Sequence, residues 1–198
     1  MQSVTLIESK VVDITPSGRD DQHALVALLT GITAGDRAAL TTLYGRLQRP
    51  LYRYLLQLTP DRGVAEEILQ DTFVAIWQSA ATYQGRSSVW TWAFGVARRQ
   101  AHNTLRRKGV DLSEDEDALS TIADPDTSVE DKALATADIE ELSRHVQRLS
   151  PVLREVLALT FVQGLTNSEI AEILDVPEGT VKSRLNNARR MLREMMPR

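Results

Sequence analysis

LTNSEIAEILDVPEGTVKSRLNNARRMLREM, residues 165–195, holds two helical patterns divided by a turn. Gly164 stops whatever precedes it, and Thr166-Asn167-Ser168-Glu169 is a capping box. In such a box the Thr hydroxyl and the Glu carboxylate each satisfy an amide that the helix start leaves exposed. The short helix that follows has Ile170, Ala171, Ile173 and Leu174 at buried spacing. Asp175-Val176-Pro177-Glu178-Gly179 is a tight turn, after which Thr180 starts a longer helix with Val181, Leu185, Ala188 and Leu192 inward. Its outward face carries Lys182, Ser183, Arg184, Asn186, Asn187, Arg189, Arg190 and Arg193. Short helix, tight turn, basic and amide-rich second helix is the helix-turn-helix plan. A helix fits the major groove, where Arg, Lys, Asn and Ser read base edges. Charges further along meet phosphates and position the helix without reading sequence. The bland alternative is a basic surface helix with no target.

Upstream of this motif, Ser150-Pro151 reads as N-cap and first residue of a helix with Val152, Leu153, Val156, Leu157 and Val162 buried. Ser128 followed by Asp131 starts another, with Leu134, Ile139, Leu142, Val146 and Leu149. Residues 109–127 differ from both. Asp111, Glu114, Asp115, Glu116, Asp117, Asp124 and Asp126 stand there with no basic residue, the composition of a solvated flexible linker.

Residues 21–108 show the helical period again. Leu25, Leu28, Leu29 and Ile32 form one stripe. Asp36 caps a helix with Leu40, Leu43, Tyr44 and Leu47, broken or bent at Pro50 and continued by Leu51, Tyr54, Leu55 and Leu58. Asp61 or Gly63 opens the next, with Ala65, Ile68, Leu69, Thr72, Phe73, Ile76 and Trp77 on one side. Its polar face gathers Glu66, Glu67, Gln70 and Asp71, since residues three and four apart are neighbours. His23, His102 and His145 are scattered away from these acids, so the face reads as solvated or partner-binding rather than metal-binding. Tyr83, Gln84, Gly85, Arg86, Ser87 and Ser88 form a polar loop that runs into Trp90 and a helix over 89–107. Trp92, Val96 and Leu105 are placed inward; Trp90 is open between core and surface. Small polar residues flanked by aromatics, beside Arg98, Arg99, His102, Asn103, Arg106 and Arg107, suit unstacked bases and phosphates. Residues 1–20 carry Pro16 and Gly18 without a period and read as a disordered tail.

The chain has 198 residues, 42% hydrophobic and 25% charged, the balance of a soluble globular protein. It has no cysteine, which excludes disulfides, zinc fingers and thiol catalysis and fits a reducing cytoplasm. No stretch approaches the ~18 apolar residues of a membrane span, and the opening MQSVTLIESK lacks the plan of a signal peptide. The net charge of −4 conceals blocks of +4 over residues 1–108, −9 over 109–150 and +1 over 151–198. A polyanion meets the local field rather than the sum. The expected fold class is all-α, with two small helical domains joined by an acidic linker.

Taken together, AEEILQDTFVAIW (65–77), YQGRSSVWTWAFGVARRQAHNTLRR (83–107) and LSPVLREVLALTFVQGLTNSEIAEILDVPEGTVKSRLNNARRMLR (149–193) resemble bacterial sigma factors of the extracytoplasmic-function (ECF) group. The likeness spans residues 21–196; the family often has Asn where Arg99 stands and Asp where Asn103 stands. It implies region 2 over 21–108, a linker over 109–127 and region 4 over 128–198. It implies no covalent chemistry, no catalytic residue, no cofactor and no metal. It implies binding to core RNA polymerase, at the large-subunit clamp helices and flap, and to promoter DNA. Glu66, Glu67, Gln70 and Asp71 would meet the clamp helices. Tyr83 to Ser88 with Trp90 would capture an extruded minus-ten base, with Arg98, Arg99, Arg106 and Arg107 on the backbone. Lys182, Ser183, Arg184 and Asn187, with Thr180 and Arg190 beside them, would read the minus-thirty-five duplex. An anti-sigma partner is implied as well, without membrane insertion.

Nineteen linker residues span ~25 Å as a coil and at most ~65 Å extended. Elements one to two duplex turns apart are on the order of 35–70 Å apart, within reach of a stretched linker. The acidic run is expected within the polymerase, or as a plain tether. The sequence leaves two other functions open. One is a helix-turn-helix regulator that never binds core polymerase. The other is a helical enzyme using Glu66, Glu67 and Asp71, unsupported by any nucleophile, phosphate loop or ligand set.

Overall fold

A computed structural model describes residues 22–109 and 144–196, and every regular element among them is helical. The acidic linker, the tail before Gln22 and most of the helix read from Ser128 lie outside the described residues. Among the described residues the amino-terminal body has four α-helices, α1 (Gln22–Thr33), α2 (Arg37–Leu58), α3 (Arg62–Ser79) and α4 (Val89–Arg107), with a 3-10 segment over Ala80–Thr82. The carboxy-terminal body has α5 (Pro151–Leu157), a π-helical turn over Ala158–Val162, α6 (Asn167–Leu174) and α7 (Glu178–Met195).

Local chemistry sets the helix starts. The Asp36 carboxylate accepts from the amides of Ala38 and Ala39, the Asp61 carboxylate from Val64, and the Ser88 hydroxyl from Thr91. Each such cap is worth ~1 kcal/mol. α2 runs unbroken through Pro50. Proline inside a helix costs ~3 kcal/mol, while Leu43, Leu47, Leu51 and Leu55 are fully buried on one stripe and each contributes ~1.5–3 kcal/mol. Burial therefore outweighs the lost hydrogen bond, and of the break or bend expected at Pro50 the break does not occur. Tyr44, expected on that stripe, is exposed and lays its ring on Phe73 at 4.6 Å.

α4 corrects the reading of its tryptophans. Its buried stripe is Val89, Trp90, Ala93, Phe94, Ala97, Ala101 and Leu105. Trp90 is 7% exposed, whereas Trp92 and Val96 are only partly buried against the core. Alanines let α4 approach its neighbours closely, so small side chains mark the inward face and Trp92 falls at its edge. In the carboxy-terminal body the π turn shifts the register after Leu157, and Val162, expected inward, is half-buried. α7 begins at Glu178, ahead of Thr180, because the Thr180 amide already donates to the Pro177 carbonyl at 2.9 Å.

The two bodies were expected as modules on a tether, yet they share a seam. α6 packs on α4, and α5 packs on α2. Buried apolar residues from Leu25 to Leu192 form one continuous cluster across it.

Candidate nucleic-acid interface

The loop between α3 and α4 is closed by its own first residue. The Tyr83 hydroxyl donates to the Ser87 carbonyl at 2.6 Å. Gly85 turns the tip with φ at +68°, the left-handed region that glycine enters without steric cost. Ser88 then caps α4, its hydroxyl accepting from the Thr91 amide at 3.0 Å. Gln84, Gly85 and Arg86 face solvent. The Tyr83 ring stands edge-on to Trp92 at 5.6 Å, so the aromatic surface beside the loop is Tyr83 with Trp92. Trp90 is in the core, its ring 6.4 Å from that of Phe94.

α4 presents Arg99, Asn103, Arg106 and Arg107 to solvent. A groove of about 430 Å³ runs between α3 and α4, with Asp71 and Gln78 on one wall and Asn103, Arg106 and Arg107 on the other. Glu66, Glu67 and Gln70 are exposed on α3, and Asp71 is half-buried. Glu67 meets Lys108 at 3.2 Å, and Val74 lies 55% exposed near the acids. An acidic face with an apolar spot next to it is suited to a protein partner.

Arg98 is placed differently from its neighbours. Its Nε donates at 3.1 Å to Glu155 Oε1, which also accepts from the Tyr54 hydroxyl at 2.6 Å. Glu155 is 5% exposed, so this is a buried anion held by a phenol and a guanidinium across the seam. Burial, then Glu155, pushes the Tyr54 hydroxyl well above the usual phenol range. Burial, then the charge of Arg98, lowers the His102 imidazole, opposed by Glu155. Nearby the Gln163 amide donates to the Pro50 carbonyl at 3.1 Å. The sequence reading placed Tyr54 only on the apolar stripe of its helix and did not single out Glu155 or Gln163. The one available signal was the charged pair Arg154-Glu155 inside an otherwise apolar run.

The helix-turn-helix forms as its residues dictate. The Thr166 amide donates to Glu169 at 2.8 Å and the Glu169 amide to the Thr166 hydroxyl at 3.3 Å, the reciprocal box expected. Asp175 ends α6 in the left-handed conformation, φ +56°. On α7, Lys182, Ser183, Asn186, Arg190 and Arg193 are exposed, and Thr180 and Asn187 are half-buried. Lys182 pairs with Glu178 at 2.8 Å, and Arg190 donates to Asn187 at 2.8 Å. Arg189 lies over the Phe161 ring at 5.6 Å. Arg184, read as outward, is 6% exposed: it lies beside Leu185 on the flank turned to the core.

Two family models match the chain. Sigma-70 region 2 matches residues 43–110 and Sigma-70, region 4 matches residues 139–192. The ECF RNA polymerase sigma factor SigL of Mycobacterium tuberculosis is 31% identical over 172 residues, 85% of this chain and 94% of that protein. The ECF RNA polymerase sigma-E factor of Haemophilus influenzae is 29% identical, over 84% of this chain and 92% of that one. Among solved structures, CnrH in complex with the cytosolic domain of CnrY superposes with a TM-score of 0.64 at 20% identity, covering 87% of this chain and 96% of that chain. The sigma factor RpoE of Bartonella quintana, in complex with the anti-sigma factor NepR, gives 0.59 at 22% identity, over 78% and 96%.

Proposed function

We infer the role of each face from one premise: this chain belongs to the ECF RNA polymerase sigma factors. It binds core RNA polymerase and directs promoter-specific transcription initiation. The observation that carries the assignment is the conjunction of a region 2 match and a region 4 match in one chain, with an exposed basic face on α7.

The residue roles follow as proposals. Residues 21–108 and 128–198 are the two working domains, and residues 109–127 connect them. Glu66, Glu67, Gln70 and Asp71, with the exposed Val74, dock on the polymerase clamp helices. Loop 83–88 captures a minus-ten base, and Arg99, Arg106 and Arg107 hold its backbone. Trp90 and Arg98 join them only if that face rearranges, since one is in the core and the other is held by Glu155. Lys182, Ser183, Asn187 and Arg190, flanked by Thr180, read the minus-thirty-five duplex. Arg184 orients the helix from its buried flank. The factor acts in the cytoplasm and carries out no chemistry of its own.

The described arrangement is a closed one. Two promoter elements on the order of 35–70 Å apart are not served while α6 lies against α4. Engaging both requires the seam to part, which frees Arg98 from Glu155 for phosphate. A protein partner that grips both bodies at once holds the seam shut; an anti-sigma factor of the kind bound by the Bartonella protein is the class that fits.

The test is in vitro transcription with purified core polymerase on a randomised promoter library. Stoichiometric assembly on core and enrichment of two spaced sequence elements are expected. DNA binding without assembly on core would instead identify a conventional regulator.

A further inference from the structure

We propose that Gln22 is a positioning residue for the minus-ten loop, fastening both of its ends with one side chain. The proposal rests on the sigma-factor reading of that loop and adds a residue that lies outside both family matches.

Gln22 is the first residue of α1, and its amide reaches residues 61 and 67 positions away. Its Nε2 donates to the Tyr83 hydroxyl oxygen at 2.9 Å, where the loop begins. Its Oε1 accepts from the Val89 amide at 3.1 Å, where the loop ends. The orientation of the amide follows from chemistry. The Val89 N–H can only donate, so the oxygen must face it. The Tyr83 proton is given to the Ser87 carbonyl, so the phenol oxygen facing Gln22 is an acceptor and needs an N–H.

The result is a directional chain from Gln22 to Tyr83 to Ser87, in which each donor polarises the next. The same side chain completes the start of α4. A helix leaves its first amides without internal partners. Ser88 takes the Thr91 amide, and Gln22 takes that of Val89. Only a primary amide of this length supplies a donor and an acceptor in that span. Gln84, Gly85 and Arg86, the exposed tip, lie between the two fastened ends.

Three substitutions separate the elements of this device. Gln22→Met keeps the shape and removes both bonds. Gln22→Glu keeps the acceptor for Val89 but sets an oxygen against the Tyr83 oxygen, so the phenol proton must turn away from Ser87. Tyr83→Phe cuts the chain at its middle. The probe is the single-stranded minus-ten segment of a promoter selected by the wild-type holoenzyme, intact or abasic at each position in turn. Wild-type holoenzyme is expected to discriminate at the captured position. All three variants should lose about tenfold of that discrimination, the scale of one or two net hydrogen bonds. The double variant Gln22→Met, Tyr83→Phe should lose less than the sum of the two single losses, since both cut the same Gln22–Tyr83 bond. Binding to core and to minus-thirty-five duplex should not change. Variants that only lower the melting temperature and keep full base discrimination would overturn the role, as would additive losses in the double variant. A wild-type holoenzyme that selects no promoter would instead overturn the sigma-factor reading itself.

Discussion

The two segments proposed to meet DNA are built by opposite means. The helix-turn-helix of α6 and α7 is held by neighbours in sequence. Thr166 and Glu169 cap each other, the Val176 amide returns to the Ala171 carbonyl, and Lys182 pairs with Glu178. The loop between α3 and α4 is held at both ends by Gln22, from another helix. The first conforms to rules that act over three or four residues. The second adds to its own Tyr83–Ser87 bond a clasp that forms only when α1 packs beside the 3-10 segment Ala80–Thr82 that leads into the loop. A major-groove reader needs a rigid helix, which local caps supply. A base-capturing loop needs a fixed mouth with a free tip, which a distant clasp supplies.

This contrast is open to direct attack. The largest effect is expected from Phe94→Ala, which removes a ring packed edge-on against Tyr54 at 5.4 Å and stacked near Trp90. A loss of ~3–5 kcal/mol is expected in urea titration. Amide exchange should quicken at Val89 and Thr91 and stay unchanged at Glu169 and Val176. If both segments loosen together, the seam couples them and the contrast fails.

Thr166→Ala should cost ~1 kcal/mol. Its exchange pattern should be the reverse, faster at Glu169 and unchanged at Val89. The same measurement with any change in loop 83–88 counts against independent construction.

The smallest effect on stability belongs to Lys182→Ala. The Lys182–Glu178 pair is exposed, 59% and 48% on its two side chains, and such helix pairs contribute ~0.3–0.5 kcal/mol. The melting curve should hardly move. Affinity should fall for the selected minus-thirty-five duplex and much less for a scrambled one, since a base contact carries discrimination. An equal loss on both duplexes would move Lys182 from base reading to phosphate contact.

The seam between the bodies explains where sequence reading stopped. Tyr54 lies on the leucine stripe of α2 and Glu155 in the apolar run of α5, so neither announces a partner 101 positions away. Arg98 and Arg184 illustrate the same limit from the other side. Both count as surface cations by composition, and both are drawn in, one to Glu155 and one to the inner flank of α7. Trp90, left open by the sequence, is the core residue and Trp92 lies at the edge, because alanines, which carry no strong hydrophobic signal, mark the inward face of α4.

Periodicity, caps and turn residues by themselves determined the all-helical class, the starts of α2, α3, α4 and α6, and the basic face of α7, since all of these arise from interactions within one or two helical turns. The motifs in their order were enough to suggest the family. Tertiary structure alone decided which charges are spent internally, how the two bodies close on each other, and what clasps the ends of the loop at 83–88 to α1. Those outcomes depend on side chains 57 to 113 residues apart being brought within hydrogen-bond distance, and no local pattern encodes that encounter.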